Sequence, residues 1–570
     1  MRLYKPLIYK SFSLIFVLLL CNGFAFSQDN SNKGTDFWLG FMDHIEGNDA
    51  NMYLYITSDT NATGTVSIPG QSWSTTYSVT KNSMTLVTVP TDKSRVACSD
   101  CTESKGIHVT SDLPVVVYSH VYETYKSDAT LVLPTATAGK EYYCMSYTQV
   151  QQRNDPNESS QFMVVASQDN TLVQITPSCD ILKGTGVHTA GNTYTITLDE
   201  GEVYQGKGRL NGSYAGADVS GTFIQVIDTG KNSNCRTVSV FSGSSNSLIG
   251  CTSSRASSDI LFEQMFPVSS LGNKFIAVPS KDKTSDIIRV MAVENGTVVR
   301  IGSTNYSLAA GKFVELTISG NQTLYIRAPK PIMVAQFHTS QLRCGGGYGD
   351  PAMIMLTPIE QTLEDIVVYS ASRQNITKNF INVVIPTSGI SSFRLDGSAV
   401  TFTTVASYGA YSYAQLAVSS GNHRLTADVG FNAIAYGFGN YESYGYAAGA
   451  NIKNRSVYID LANSNYEKDL GVCLGEQVSF QGKVSNQTII KWEWDFGDGI
   501  TDTVQNPKHD YNKPGVYSVV VKAHKKNSNG CSTFDSSVLE LAIYATPKAD
   551  FAYTALCKGD AVLFTDSTKI

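Results

Sequence analysis

Three segments of this chain repeat one arrangement, and that repetition restricts its fold more than any other feature. SDATLVLPTATAGKEYYC carries Asp128, Pro134, Gly139 and Tyr142; SDILFEQMFPVSSLGNKF carries Asp259, Pro267, Gly272 and Phe275. GDPAMIMLTPIEQTLEDI carries Asp350 and Pro358, with Leu363 and Ile366 at the later positions, so it keeps the frame without the glycine. Behind each box comes a strand, a polar turn and a strand, in FMVVASQDNTLVQI from Phe162, IRVMAVENGTVVRI from Ile288 and INVVIPTSGISSFRL from Ile381. A similar hairpin, YLYITSDTNATGTVSI, follows GTDFWLGF, a diverged first box. β-Branched and aromatic runs broken by Asn, Asp and Gly are hairpin signals. Each unit then ends on a further strand pair, as in GIHVTSDLPVVVYSHV and HRLTADVGFNAIAYGFG. The expected fold is all-β, with hardly any helix and four tandem antiparallel sandwich-like units in residues 28–450, at about 35–126, 127–256, 257–348 and 349–450. Boxes 133 and then 91 residues apart, counted between their prolines, are too unevenly spaced for a closed ring of propeller blades, so separate sandwiches are expected.

KGTDFWLGF, KGIHVTSDLPVVVYSHV, the LxLPTxxxGxxY box and DILFEQMFPVSSLGNKF resemble the N-terminal region of the IgG Fc-binding protein family, over residues 35–449. The resemblance implies an extracellular recognition or adhesive module.

A second kind of module follows a linker at 451–467. Ile490, Trp492, Trp494 and Phe496 alternate with Lys491, Glu493 and Asp495, and Tyr517, Val519, Val521 and Ala523 alternate after the Pro514–Gly515 turn. Such alternation points apolar side chains to one face of a strand. WDFGDG followed by NPKHDYNKPGVYSVVVKA resembles the PKD domain, which implies a small immunoglobulin-like sandwich at 468–545. Asp495 and Asp498 flank Gly497 and Gly499, a setting in which carboxylates accept backbone N–H bonds and glycines supply positive φ. A calcium ion at Asp495 and Asp498 is the alternative, although hard cations want six or more oxygens. CLGEQVSF at Cys473 is echoed by CKGDAVLF at Cys557, so a second copy is expected from 546 to 570, with the chain a fragment ending inside it.

Residues 1–27 have the layout of a secretory leader: basic Arg2, Lys5 and Lys10, an apolar stretch Leu14–Leu20 and a small-residue exit. No later run is apolar enough to span a bilayer, so a secreted or cell-surface location is expected. Loss of the leader leaves 40 of the 43 basic residues against 49 acidic ones, and nothing basic clusters as nucleic-acid binding requires.

Of the 11 cysteines, ten lie beyond the leader, where export favours disulfides. The candidate pairs are Cys98 with Cys101, Cys235 with Cys251, and Cys473 with Cys531, while Cys144, Cys179 and Cys344 stay open. A redox CxxC would want a βαβ setting that is not near. CGGGYGD, from Cys344, reads as a connector rather than a phosphate loop, since no GK here precedes Ser or Thr. The chain has no GxSxG elbow and no HExxH, and its eight histidines are scattered singly. Trp38 and Trp73 read as packing residues. Tyr441, Tyr444 and Tyr446 either stack on a ligand such as a sugar or fill a sheet, tyrosine being a favoured strand residue.

No catalytic constellation and no cofactor is expected in this portion. The leading expectation is a secreted or surface protein that binds glycans, mucins or matrix proteins, with PKD domains as spacers and avidity gathered over repeated weak sites. The alternatives are the accessory region of a larger secreted hydrolase and a structural stalk.

Overall fold

The computed structural model describes residues 31–148, 159–210, 216–227, 236–250, 257–341, 348–371, 375–452, 457–461, 471–484, 489–525, 534–546, 549–553 and 562–567. Residues 1–27, with the features expected of a leader, and Cys235, Cys251, Cys344, Cys531 and Cys557 lie outside these residues.

Every unit is an antiparallel sandwich built around one long strand that serves both of its sheets. In unit 1 this is Ile107–Glu123. Its first half pairs with the opening strand Gly34–Leu39 and with Ala62–Ile68; its second half pairs with Asn51–Thr57 and with a closing strand, Lys126–Val132. The passage from one sheet to the other falls at Asp112–Leu113–Pro114, where a proline's missing N–H costs no ladder bond. Unit 3 repeats the plan with opening strand Gly272–Ala277, long strand Leu324–His338 and closing strand Met353–Met355. Unit 4 has Leu363–Ser370, Gly421–Gly439 and Glu442–Ala447. In unit 2 the long strand is divided into Phe223–Val226 and Val238–Ser247, between opening strand Glu141–Tyr143 and closing strand Asp259–Gln264. A bulge recurs in the opening strand, at Gly34/Asp36, Gly272/Lys274 and Leu363/Asp365. The strand of each box, which carries Asp128 and Asp259 in the first two boxes and follows Asp350 in the third, thus hydrogen-bonds to the long strand before it, and a division drawn by pairing falls after the box strand.

The units do not form a string. Their four closing strands meet one another in cyclic order, the first touching the second and the fourth. Edge N–H groups that would otherwise lack a ladder partner are taken up by side chains of the neighbouring unit. Phe262 N–H donates to Asp128 Oδ2 at 3.0 Å, Gln264 N–H to Thr130 Oγ1 at 2.9 Å, Leu133 N–H to Gln264 Oε1 at 2.8 Å and Met355 N–H to Glu263 Oε1 at 3.2 Å. Glu442 accepts from Tyr125 N–H and from Ser127 Oγ, joining unit 4 to unit 1. Tyr118, fully buried, donates to Val367 O and Ala448 O across the same seam, and Asn32 N–H donates to Ala450 O. One continuous apolar core runs through all four units, from Tyr118 through Val164 and Met291 to Ile381 and Tyr446. The uneven box spacing does not prevent closure, because extra residues fall outside the hub; the hairpin Ile181–Lys183/Gly186–His188 of unit 2 is one such addition. The units are antiparallel sandwiches as expected, and the expectation that uneven spacing excludes a closed ring is corrected.

Packing within each unit explains the Pro–Gly frame. A Cβ on Gly34 would lie 2.6 Å from Pro134 Cβ, one on Gly139 2.3 Å from Pro267 Cβ, and one on Gly272 2.3 Å from Pro358 Cβ. Each opening-strand glycine therefore receives the proline that follows its own unit's closing strand. Unit 4 has no such proline; Leu363 fills the space instead, its Cδ1 3.1 Å from where Gly449 would carry a Cβ. Gly272→Ala is expected to lower the denaturant midpoint by an overpacking cost of about 1–3 kcal/mol. Combining it with Pro358→Gly, which removes the facing Cβ, should recover part of that loss, and additive losses would show that the two residues do not share this space.

The C-terminal module is a sandwich of its own. Ile489–Asp495, Gly515–Lys525 and Phe534–Tyr544 form one sheet, with Gly471–Cys473 added in parallel at its edge. Val478–Val484 in the other sheet pairs with Val457–Leu461, so part of the segment expected to be linker is a strand; Val457 and Leu461 are buried in the module's core. That core gathers Trp492, Trp494, Phe496, Phe480, Val519 and Leu541. The hairpin Phe551–Tyr553/Phe564–Asp566 lies beyond. Among the described residues no helix is long and apolar enough to cross a membrane.

Candidate recognition cleft

The opening strand of unit 1 places Asp36 and Trp38 on one face, two residues apart. Directly across from Trp38 on the long strand stands His108. The indole and imidazole rings stack, with centroids 4.3 Å apart and planes 6° from parallel. His108 Nε2 is 2.6 Å from Asp36 Oδ2. Burial pushes the Asp36 carboxyl up, but hydrogen bonds from His108 and Thr135 and the charge of His108 outweigh it and hold Asp36 below the usual range.

These residues open into a cleft of about 460 Å³ where unit 1 meets the start of unit 2, lined also by Thr135, Gln168, Glu200 and Thr237. That volume is within the range of ligand sites. Asp36 and Glu200 make it acidic, and no lysine or arginine is among its lining residues. Trp38 is only 3% exposed, so it is the floor that orients His108 and not an open platform.

The equivalent corners of the other units carry different chemistry. Where unit 1 has Asp36 and His108, unit 4 has Asp365 in a two-point pair with Arg424 at 3.0 and 2.6 Å. Unit 2 has Glu141 accepting from Gln225 Nε2 at 2.9 Å beside a Tyr143–Phe223 ring contact. Unit 3 has Lys274 and Tyr325. The backbone plan repeats; the surface does not. Sequence reasoning passed over Asp36 and His108 because they lie 72 residues apart and meet only through strand register.

Tyr444 and Tyr446 are 1% and 3% exposed and lie in the seam that closes the ring, which corrects the ligand-stacking alternative for both. Tyr446 packs on Tyr118, and its hydroxyl donates to Tyr369 O; the Tyr444 hydroxyl donates to Asn379 Oδ1 at 2.6 Å. Tyr441 is half-buried, edge-on to the exposed ring of Tyr125. Trp73 is half-buried against the unit 1 core.

Cys98 and Cys101 are joined as a disulfide. Together with Glu103 they form the one group among the described residues whose ligand atoms lie close enough together for a metal, and both sulfurs are committed to each other. Cys144 and Cys179 are unbonded, and burial pushes both thiols up. Cys473 is exposed, with its candidate partner Cys531 outside the described residues, as are Cys235 and Cys251.

In the C-terminal module Asp495 Oδ1 accepts from Gly497 N–H at 2.9 Å and Asp498 Oδ1 from Ile500 N–H at 3.0 Å, while Asp498 Oδ2 is 2.8 Å from His509 Nε2. Gly497 and Gly499 have φ of 80° and 90°. These three contacts build the turn and engage one oxygen of Asp495 and both of Asp498.

Solved structures similar to this chain include the N-terminal four Ig domains of Dscam1 isoforms 1.9 and 8.4. They cover 67% and 68% of this chain and 99% and 100% of their own, at 11% and 9% identity, and both TM-scores are 0.12, too low to support any correspondence. The PKD domain profile matches residues 464–541. The profile described as IgGFc binding protein matches residues 128–437, more than half of the chain, which therefore belongs to that family.

Proposed function

We propose that this chain is a secreted or cell-surface adhesion protein whose ring engages a macromolecular partner and whose PKD domains hold the ring away from the anchoring surface. The unit 1–2 cleft carries this reading: it is acidic, open, lined by hydroxyl and amide groups, and built on a rigid Trp38–His108–Asp36 stack. In this reading the cleft holds its partner without turning it over. The four unlike corners favour one principal site per chain over four equal weak ones. The partner is an extracellular protein, a mucin or a glycan.

The test is binding of the purified full chain to immobilised mucins, glycan panels and matrix proteins. Asp36→Asn combined with His108→Ala should weaken the bound partner at least about tenfold, a loss of about 1.4 kcal/mol, with the melting of the C-terminal module unchanged. Absence of binding to every surface would remove the reading. Binding that the double variant leaves intact would move the site elsewhere on the ring.

A further inference from the structure

Three lysines are buried among the described residues: Lys126, Lys207 and Lys283. Lys207 meets the carboxylate of Asp43, and Lys283 donates to the carbonyls of Thr339 and Gly349. Lys126 differs, because its Nζ faces a side-chain amide across a unit boundary. It lies 3.2 Å from Asn246 Oδ1, 2.7 Å from Ser258 O and 3.2 Å from Ser258 Oγ. Lys126 is 8% exposed and Asn246 1%.

The sequence aims both groups at this spot. Lys126 begins the closing strand of unit 1 at the hub. Asn246 sits where the pairing of Val238–Ser247 with Asp259–Gln264 shifts register between Ser244 and Ser247. A bulge of this kind re-aims a side chain. Ser244 Oγ donates to Asn246 O at 2.9 Å and fixes the bulged backbone.

Next to Ser258 is Asp259, fully buried. Its Oδ1 accepts from Ile260 N–H at 2.7 Å, while Oδ2 has no partner. Asp350, Lys126 and Glu442 all act on it electrostatically. Asp350 also faces Lys126, as does His44, which burial keeps neutral.

We propose that Lys126 and Asn246 join in an intramolecular amide bond, with Asp259 as the proton carrier, tying unit 1 covalently to unit 2. Asp259 takes one proton from the Lys126 ammonium. The neutral Nζ attacks Cγ of Asn246, the Nζ–Cγ bond forms, the Cγ–Nδ2 bond breaks, and Nδ2 leaves as ammonium, having taken one proton from Nζ and the one returned by Asp259. No electrons are exchanged and no co-reactant is consumed. A buried site excludes the water that would compete as nucleophile, and the rigid hub holds the two groups in contact, which raises their effective concentration. Burial raises Asp259 well above the usual carboxylate range, which suits a group that must hold and return a proton. The bond would close a loop over a sequence separation of 120 residues.

The purified full chain, reduced and denatured, decides the matter by mass spectrometry. The expected result is a branched peptide containing both Lys126 and Asn246, lighter than its two parts by one ammonia, and no cleavage after Lys126 by a lysine-specific protease. Asp259→Asn should lower the linked fraction at least tenfold. Recovery of the two peptides separately and at full mass from the wild-type chain overturns the bond, and this outcome does not depend on whether the variant folds. A linked fraction unchanged in a folded Asp259→Asn chain overturns the role given to Asp259.

Discussion

Heating this protein is expected to melt the four ring units in a single cooperative transition, with the C-terminal module melting separately. Independent sandwiches would give several transitions. A closed ring gives one, because no unit can leave without exposing the hub: Asp128 of unit 1 accepts an N–H from unit 2, Glu263 of unit 2 accepts one from unit 3, and Glu442 of unit 4 accepts one from unit 1. Unfolding roughly 400 residues near 60 °C absorbs on the order of 300 kcal/mol, against about 55 kcal/mol for a module of about 80 residues. Scanning calorimetry should therefore return a ring transition whose calorimetric and van't Hoff enthalpies agree. A van't Hoff enthalpy near one quarter of the calorimetric value would mean that the units melt alone. Tyr118→Phe provides a second check. It removes the one hydroxyl proton that two buried carbonyls of unit 4 share, at a cost of about 1–3 kcal/mol, and should lower the midpoint of the whole ring rather than of unit 1.

Local pattern was readable in the sequence; long-range closure was not. The alternation at Trp492, Trp494 and Phe496 foretells a strand face, and the structure buries all three. The Asp–Pro–Gly frame foretells a repeat, and each element of it has a physical cause at the hub or at the glycine–proline contact. That the repeat closes on itself depends on groups 249 to 330 residues apart, such as Tyr118 with Val367 and Ala448, and no periodicity encodes such a pair. Tyr444 and Tyr446 misled for the same reason. A tyrosine-rich stretch has one composition whether it lines a binding face or a seam between units, and only the identity of the opposing surface separates the two. The Asp36–His108 pair depends on register across a bulge, which shifts by one residue without any mark in composition. Val457–Leu461 looked like linker because a five-residue strand gives too short an alternation to stand out from its polar surroundings.

Stability should fall as pH rises from about 6.5 to 8, the reverse of what salt-bridged surface carboxylates produce. Burial pushes the Glu442 carboxyl up to about 8 and Asp350 up to about 6, and raises Asp259 and Glu263 well above the usual range. An acid whose folded pKa lies above its unfolded value binds more protons folded than unfolded between the two. Its stabilising effect is complete below the unfolded pKa and is lost as pH climbs through the folded one. The buried histidines act with the opposite sign. His44 and His120 are pushed down to about 3 and His338 well below its usual value, so they weaken the fold as pH drops from 6.5 and are silent above it. From pH 6.5 to 8 the carboxyls outweigh Lys283, which burial pushes down to about 8 and which acts with the opposite sign, and Glu442 alone contributes a loss of about 2 kcal/mol, at 1.36 kcal/mol per pH unit per proton. Below about pH 4 the acids are protonated in both states, and the histidines should make stability fall again. Urea midpoints at pH 5.5, 6.5 and 8 test the slope. Glu442→Gln keeps a neutral group in the 4–1 seam, so, if the two chains match near pH 5.5, it should exceed the wild-type chain at pH 8 by about 3 kcal/mol. A wild-type midpoint that climbs between pH 6.5 and 8, or a Gln variant with an unchanged slope, would place the proton elsewhere and leave Glu442 ionised in the closed ring.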